Sequence, residues 1–259
     1  LPKNSAWGPF KISTCWRSKK PSVATRPDEI QFQEIAARVK EVKPLTDKVA
    51  LLHLQTPRSN RLRFLAGQSV ALSIGDEAGD YAIASCPCDD RNLQFHVRDI
   101  EGNGFARRVF DGLRPGETVT VYGPVGEFVL KPDSTRPILL LACNSGFAPI
   151  KSLVEHAMSL EAAESLHLYW LATVAGGHYL SNWCRAWSDA LDNFHYRELA
   201  EESLSEAGMD HALDQVVADH PDLACFDVYV SGPASFIEHA RARLRRHGVA
   251  DADITSTIA

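Results

Sequence analysis

Hydrophobic and polar residues alternate with a period of two through the first half of the chain, and with a helical period through much of the second. Gln31–Val42, Val49–Gln55, Ser69–Ile74, Tyr81–Ser85, Leu93–Val97 and Thr118–Tyr122 are short runs of alternating or branched apolar residues, the pattern of half-buried strands. Turn-forming residues separate them: Pro57-Arg58-Ser59-Asn60, Gly75-Asp76, Gly79-Asp80, Pro115-Gly116 and Gly123-Pro124. Six closely spaced strands predict an antiparallel barrel, which leaves no open sheet edge. One short helix is expected within it, over about Ala106–Leu113.

Beyond Lys131–Pro137 the rhythm changes. Ile138–Ala142 reads as a buried strand, and Ile150, Leu153, Val154 and Ala157 then fall on one helical face. The alternation repeats: strands at Leu166–Ala172, Phe194–Leu199, Phe226–Val230 and Ile254–Ile258 interleave with helices at 180–191, Met209–Asp219 and Ala234–His247. Strand–helix alternation requires parallel strands with crossover helices, hence a doubly wound parallel sheet. The expected organisation is an N-terminal extension over 1–30, a β-barrel over 31–132 and an α/β domain over 133–259.

Composition narrows the function. The 259 residues are 45% hydrophobic and 23% charged, as in a protein with ordinary cores. No apolar run nears the roughly 20 residues of a membrane span, and no secretory signal is visible, so a cytoplasmic protein is expected. A net charge of −6 argues against nucleic acid as partner. Residues 1–30 run the other way, with Lys3, Lys11, Arg17, Lys19, Lys20 and Arg26 against Asp28 and Glu29. Such a basic arm suits an acidic partner or is a solvated tail. Six scattered cysteines read as reduced thiols. Cys86-Pro87-Cys88 lacks the two-residue spacer of zinc and redox motifs, so it reads as structural and no metal is expected.

Four groups of segments carry a resemblance. Phe64-Leu65-Ala66-Gly67-Gln68 leads into a strand. Asp80-Tyr81-Ala82-Ile83-Ala84-Ser85-Cys86-Pro87 follows. Next come Phe95-His96-Val97-Arg98, then Gly102-Asn103-Gly104-Phe105-Ala106-Arg107-Arg108, and later Gly123-Pro124-Val125-Gly126-Glu127-Phe128. Last stand Ala142-Cys143-Asn144-Ser145-Gly146-Phe147-Ala148-Pro149 and Val228-Tyr229-Val230-Ser231-Gly232-Pro233. In order and spacing they resemble the ferredoxin–NADP⁺ reductase-like flavin oxidoreductases, from about Gln31 to the C-terminus.

The resemblance implies a six-stranded FAD-binding barrel, a nicotinamide-nucleotide-binding α/β domain, and an enzyme passing hydride from NADH or NADPH to FAD and electrons onward. The acceptor it implies is an iron–sulfur protein or an oxygenase component. On the family's R-x-Y-S/T-I/L-A-S/N-x-P strand, Tyr81 packs the flavin and Ala82 to Ser85 line its edge. The strand His96-Val97-Arg98, the turn Gly102–Gly104 and Phe105-Ala106 would cradle the FAD diphosphate. Asn144, Ser145, Gly146 and Pro149 would hold the nicotinamide nucleotide with Gly232 and Pro233, Ser231 would lie near the nicotinamide, and Ala172 and Thr173 would meet the adenosine ribose.

The chain departs from the family pattern at several letters. Gly79 stands for the phosphate-binding Arg, Ala82 for a hydroxyl residue, Cys143 and Asn144 for two glycines, and Ser231 for a Cys. Arg98, Arg107 or Arg108 could return the missing charge. These losses keep a second reading open, a non-catalytic member that binds a nucleotide or partner; a reductase of free flavins is a third. The segment around Ser13-Thr14-Cys15-Trp16-Arg17 faintly resembles the tail of a plant-type ferredoxin domain, but the other cluster cysteines are absent.

Overall fold

The computed structural model describes residues 30–174 and 176–259; the basic arm and the ferredoxin-like segment lie outside the described residues. The site is built on two sheets. The first contains β1 (Gln33–Thr46), β2 (Val49–Gln55), β3 (Ser69–Ile74), β4 (Glu77–Ala82), β5 (Asn92–Arg98) and β6 (Thr118–Val125), in the order β4-β3-β6-β1-β2-β5. All its ladders are antiparallel. The sheet curls until its two edges meet where Ala84 N donates to Gln94 O at 2.8 Å. Alternate residues point inward, so Ile35, Leu52, Leu54, Val70, Leu72, Phe95, Val97, Val119 and Val121 form one core. Helix α1 (Gly104–Phe110) plugs it with Phe105, Ala106 and Val109.

One strand differs from its expected place. Tyr81–Ser85 was expected as a strand after a turn at Gly79-Asp80, but β4 starts at Glu77 and pairs Gly79 with Leu72 and Asp80 with Ala71. Gly79 lies mid-strand because the Tyr81 ring covers it: a Cβ there would stand 2.9 Å from the ring. Residues i and i+2 share a strand face, and only glycine leaves that face free for the ring.

The second sheet contains β7 (Ile138–Cys143), β8 (Leu166–Ala172), β9 (Phe194–Ala200), β10 (Asp227–Gly232) and β11 (Ile254–Ile258), in the order β11-β10-β7-β8-β9, all parallel. Helices α2 (Phe147–Leu160) and α3 (Ser181–Ala190) cover one face through Phe147, Ile150, Val154 and Cys184. Helices α4 (Glu206–Asp219) and α5 (Ala234–Arg246) cover the other through Met209, Leu213, Phe236 and Ala240. The chain leaves β7 in one direction toward β8 and returns to its other side at β10. Ligands in such sheets bind beyond the carboxyl ends of the strands at this switch.

Between the sheets, Lys131 donates to Asp227 at 2.9 Å and to Asp253 at 2.6 Å, and Arg136 pairs with Asp253 at 2.8 Å. Cys86 and Cys88, expected as reduced thiols, are joined by a disulfide, since their Cα atoms stand 5.2 Å apart, inside the range a bridge spans.

Candidate functional site

Two turns meet at the switch of the parallel sheet. After β7 the chain turns through Asn144-Ser145-Gly146 into α2, and after β10 through Gly232-Pro233 into α5. Asn144 takes a left-handed backbone (φ +50°), which Asn tolerates better than most residues. Cys143, in place of a family glycine, stays extended and ends its strand, so the substitution costs no backbone strain. The Asn144 side chain ties the turn to the end of β8: Nδ2 donates to Thr173 Oγ1 at 2.9 Å and Oδ1 accepts from Thr173 N at 3.0 Å. Trp170 Nε1 donates to Asn144 O at 3.0 Å. Gly146 lies against main chain, because a Cβ there would meet Ser231 O at 2.2 Å. Gly232 likewise faces Cys143, whose Cβ would stand 2.7 Å from an added one.

Ser231 is fully buried, and its hydroxyl has no hydrogen-bond partner among the described residues. Burial lifts the neighbouring Cys143 thiol to about 12, so it stays protonated. Pro149 is buried behind the turn, whereas Ser145 is half-buried at its surface.

On the barrel side, Tyr81 and Ala82 end β4, both half-buried. The Tyr81 ring packs on Phe105 at 5.2 Å between centroids, and its hydroxyl accepts from Asn103 Nδ2 at 3.2 Å. Burial raises the Tyr81 hydroxyl above its ordinary pKa, so it remains a donor. Asn103 caps α1, its Oδ1 accepting from Ala106 N at 2.9 Å. Gly102 takes φ +84° in the turn before it. A Cβ at Gly104 would fall on the Glu77 carboxylate, so this chain's own acidic group already lies over the start of α1.

Not every expected residue presents a side chain to a ligand. Ile83, Ala84, Val97, Phe105 and Ala106 have no exposed surface and face the core, leaving only main chain for recognition. Ser85 turns inward, its hydroxyl accepting from Gln94 N at 3.2 Å. His96 crosses to the other domain: Nδ1 bonds the Tyr179 hydroxyl at 3.0 Å and its ring parallels Phe147 at 6.2 Å. Burial, with Lys151 adding to it, pulls His96 down to about 3, so it is neutral. Its Nε2 is buried without a partner among the described residues.

Arg98 ends β5 and makes no ion pair among the described residues. Its charge reaches the Cys143 thiol and the Tyr179 hydroxyl across the cleft. Arg107 is exposed on α1, and Arg108 is spent on Glu117 at 3.1 Å. Arg98 is therefore a cation whose charge is felt at Cys143, where the first turn begins.

The sequence reading missed the seam between the domains. Lys151, nearly buried on α2, donates to Ala84 O at 3.1 Å, Gln94 Oε1 at 3.3 Å and Glu155 Oε1 at 2.7 Å. Ser152 Oγ donates to Ser85 O at 2.7 Å, and Cys86 N donates to Glu155 Oε2 at 3.0 Å. A lysine one residue from Ile150, on the apolar face of a buried helix, was the available signal.

At the ends of β8 and β9 lies a cavity of about 680 Å³, lined by Ala172, Thr173, Gly177, His178, Glu201 and Glu202 among others. No Lys or Arg lines it among the described residues. Arg185 is bound to Glu198 at 2.8 and 2.9 Å, and Arg197 is paired with Asp219.

These features fit a dinucleotide and a flavin. Glycines press turn against turn where a side chain would intrude, buried Ser231 and His96 keep unmatched polar atoms, and Arg98 supplies positive charge.

Comparison with known proteins agrees with this geometry. Residues 36–130 match the oxidoreductase FAD-binding domain family, and residues 140–242 the oxidoreductase NAD-binding domain family. The chain is 30% identical over 224 residues to a CDP-6-deoxy-L-threo-D-glycero-4-hexulose-3-dehydrase reductase of Yersinia pestis, covering 86% of this chain and 68% of that one. It is 31% identical over 178 residues to terephthalate 1,2-dioxygenase reductase component 1 of a Comamonas species, covering 68% of this chain and 53% of that one. Among solved structures, a cytochrome P450 reductase from Amycolatopsis superposes with TM-score 0.76 at 23% identity, over 87% of this chain and 69% of that one. A ferredoxin–NADP⁺ reductase from Neisseria gonorrhoeae, bound to FAD and NADP, superposes with TM-score 0.72 at 17% identity, over 88% and 98%. The chain belongs to the ferredoxin–NADP⁺ reductase-like oxidoreductases, enzymes that use FAD and a nicotinamide nucleotide.

Proposed function

We propose that this chain is an NADH-dependent reductase that passes electrons through FAD to a separate acceptor protein, an iron–sulfur protein or the iron–sulfur part of an oxygenase. The observation that carries the reading is the close approach of the two turns at the switch of the parallel sheet, where Gly146 rests on the main chain of Ser231 and Gly232. FAD, when bound, supplies the step from two-electron hydride chemistry to electron transfer. The protein's part is placement and exclusion of water. Tyr81 packs the flavin, and Ala82 with the main chain of Ile83 to Ser85 lines its edge. Arg98 and the turn Gly102–Gly104 hold the diphosphate, guanidinium against phosphate oxygens. Gly146, Gly232 and Pro233 bring main chain close to the nicotinamide, with the Ser231 hydroxyl as the nearby donor.

The preference for NADH rests on the cavity at Thr173, where Glu201 and Glu202 stand and, among the described residues, no Lys or Arg does. A carboxylate there accepts a hydrogen bond from a ribose 2′-hydroxyl but repels a 2′-phosphate. The acceptor assignment draws on the relatives named as reductases and reductase components, and the basic residues 1–30 would help to recruit an acidic partner.

The test is an absorption spectrum of purified protein before and after anaerobic NADH and NADPH, with kcat/KM for each. The expected protein is yellow, is bleached by both, and has the larger kcat/KM with NADH. A clear NADPH advantage overturns the cofactor assignment, and a colourless protein that takes up no FAD overturns the whole reading.

A further inference from the structure

Away from the flavin and nucleotide turns, the loop after β4 brings two sulfurs against α2. Cys86 and Cys88 lie on the barrel side, and His156 comes from the nucleotide domain. The Sγ atoms of both cysteines and a ring nitrogen of His156 all lie within 4.8 Å of one another. Among the described residues this is the one group of three or more His, Cys, Asp or Glu side chains set in this way.

The Cys86–His156 pair suits a tetrahedral ion, and reduction frees the two sulfurs, bonded in the disulfide, to separate. Bonds of about 2.3 Å to sulfur and about 2.05 Å to nitrogen put the two ligand atoms about 3.6 Å apart at a tetrahedral angle. Cys86 Sγ and His156 Nδ1 stand 3.7 Å apart. Cys88 N donates to Cys86 Sγ at 3.2 Å, a main-chain donor that steadies a thiolate. The loop is held in place: Cys86 N is bound to Glu155 at 3.0 Å, and Ser159 Oγ lies 3.4 Å from Cys88 Sγ. Cys88 is exposed, so reductant and ion have access.

We propose that, once its disulfide is reduced, Cys86-Pro87-Cys88 forms with His156 a binding site for a thiophilic divalent cation of the Zn²⁺ type, leaving one position to water. A phosphine and one water convert the bridge to two thiols, the phosphine leaving as its oxide. The cation then displaces the two thiol protons as two metal–sulfur bonds form, while the His156 lone pair makes the third bond. The disulfide is the closed form of the site and the metal-bound dithiolate the open one. Because the ligands come from both domains, the ion pins the loop that follows the flavin-edge strand to α2. This inference does not depend on the choice of nucleotide or electron acceptor.

The experiment uses the FAD-loaded full chain, reduced with a phosphine and titrated with Co²⁺ as a spectroscopic probe, then with Zn²⁺. Reduced wild type should take up Co²⁺ stoichiometrically, with a thiolate-to-metal charge-transfer band and tetrahedral d–d bands at longer wavelength than the flavin. Zn²⁺ should displace it and raise the Tm of the reduced protein. Loss of a direct ligand in Cys88→Ser or His156→Ala should weaken binding by at least the about 10- to 100-fold that loss of an outer-shell partner costs, with the flavin spectrum unchanged. Oxidised wild type should bind no ion. Reduced wild type without these bands, or Cys88→Ser and His156→Ala that both retain them at unchanged affinity, would overturn the proposal.

Discussion

On the proposed reading, Arg98 takes over the phosphate-binding task that the family pattern gives to an arginine at position 79. The Tyr81 ring lies across Gly79, so any side chain at 79 must first displace the ring that is proposed to pack the flavin. Gly79→Arg should therefore gain no affinity for FAD. Arg98 has no ion pair to lose among the described residues, and its charge faces the cleft. A hydrogen bond to a charged group is worth roughly 1.5–3 kcal/mol, so Arg98→Ala should weaken FAD by about 10- to 150-fold. Exposed Arg107→Ala should change little. Fluorescence titration of the apoprotein measures all three, and a tighter Gly79→Arg with an inert Arg98→Ala would show that the charge had not moved. The sequence alone left Arg98, Arg107 and Arg108 equal, because the three differ in direction and partners, which no spacing records. It did isolate Asn144: a residue tolerant of left-handed backbone in a glycine position pointed to a turn that the structure contains.

At the scale of elements, periodicity carried most of the information. β2, β3, β8 and β11 have the bounds that alternation predicted, since buried and exposed faces leave a direct trace in residue order. β4 was misplaced because its glycine reads as a turn signal when its neighbour's ring is out of sight. The ion cluster that precedes β7 was also illegible, as it joins Lys131 and Arg136 to residues some hundred positions away. That cluster predicts acid sensitivity. Hydrogen bonding from Lys131 foremost, outweighing partial burial and joined by Arg136, holds the Asp253 carboxyl below its ordinary value. A depressed carboxyl stabilises the fold above its unfolded value, about 3.9, and that contribution is lost as pH falls through the lower folded value. Asp253→Asn should lower stability at pH 7 by up to roughly 1 kcal/mol and make the fall in Tm below about pH 4 shallower. Thermal scans from neutral to acid pH check it, and an unchanged acid slope would remove Asp253 from the account.

At the scale of the molecule, the two domains are joined by buried polar bonds as well as by apolar packing. Lys151 is central, holding Ala84 O and Gln94 of the barrel while paired with Glu155 on its own helix. Breaking a buried pair costs about 3–5 kcal/mol because the partner's charge is stranded; Glu155 keeps some exposure, so Lys151→Met should fall near the lower end. Lys151→Met with Glu155→Gln should recover part of the loss, because no charge is then left alone. Calorimetry of wild type and both variants decides the point, and a double variant no more stable than Lys151→Met would refute it. A different consequence follows from Gly146, which rests on the main chain of Ser231 and Gly232 rather than on any side chain. The spacing of the two turns is set by backbone touching backbone, so neighbouring side chains can depart from the family pattern without altering it. Cys143, Asn144 and Ser231 are three such departures in one chain. Distant kin of this enzyme are better sought by the path of the chain around two fixed glycines than by the spelling of the motif.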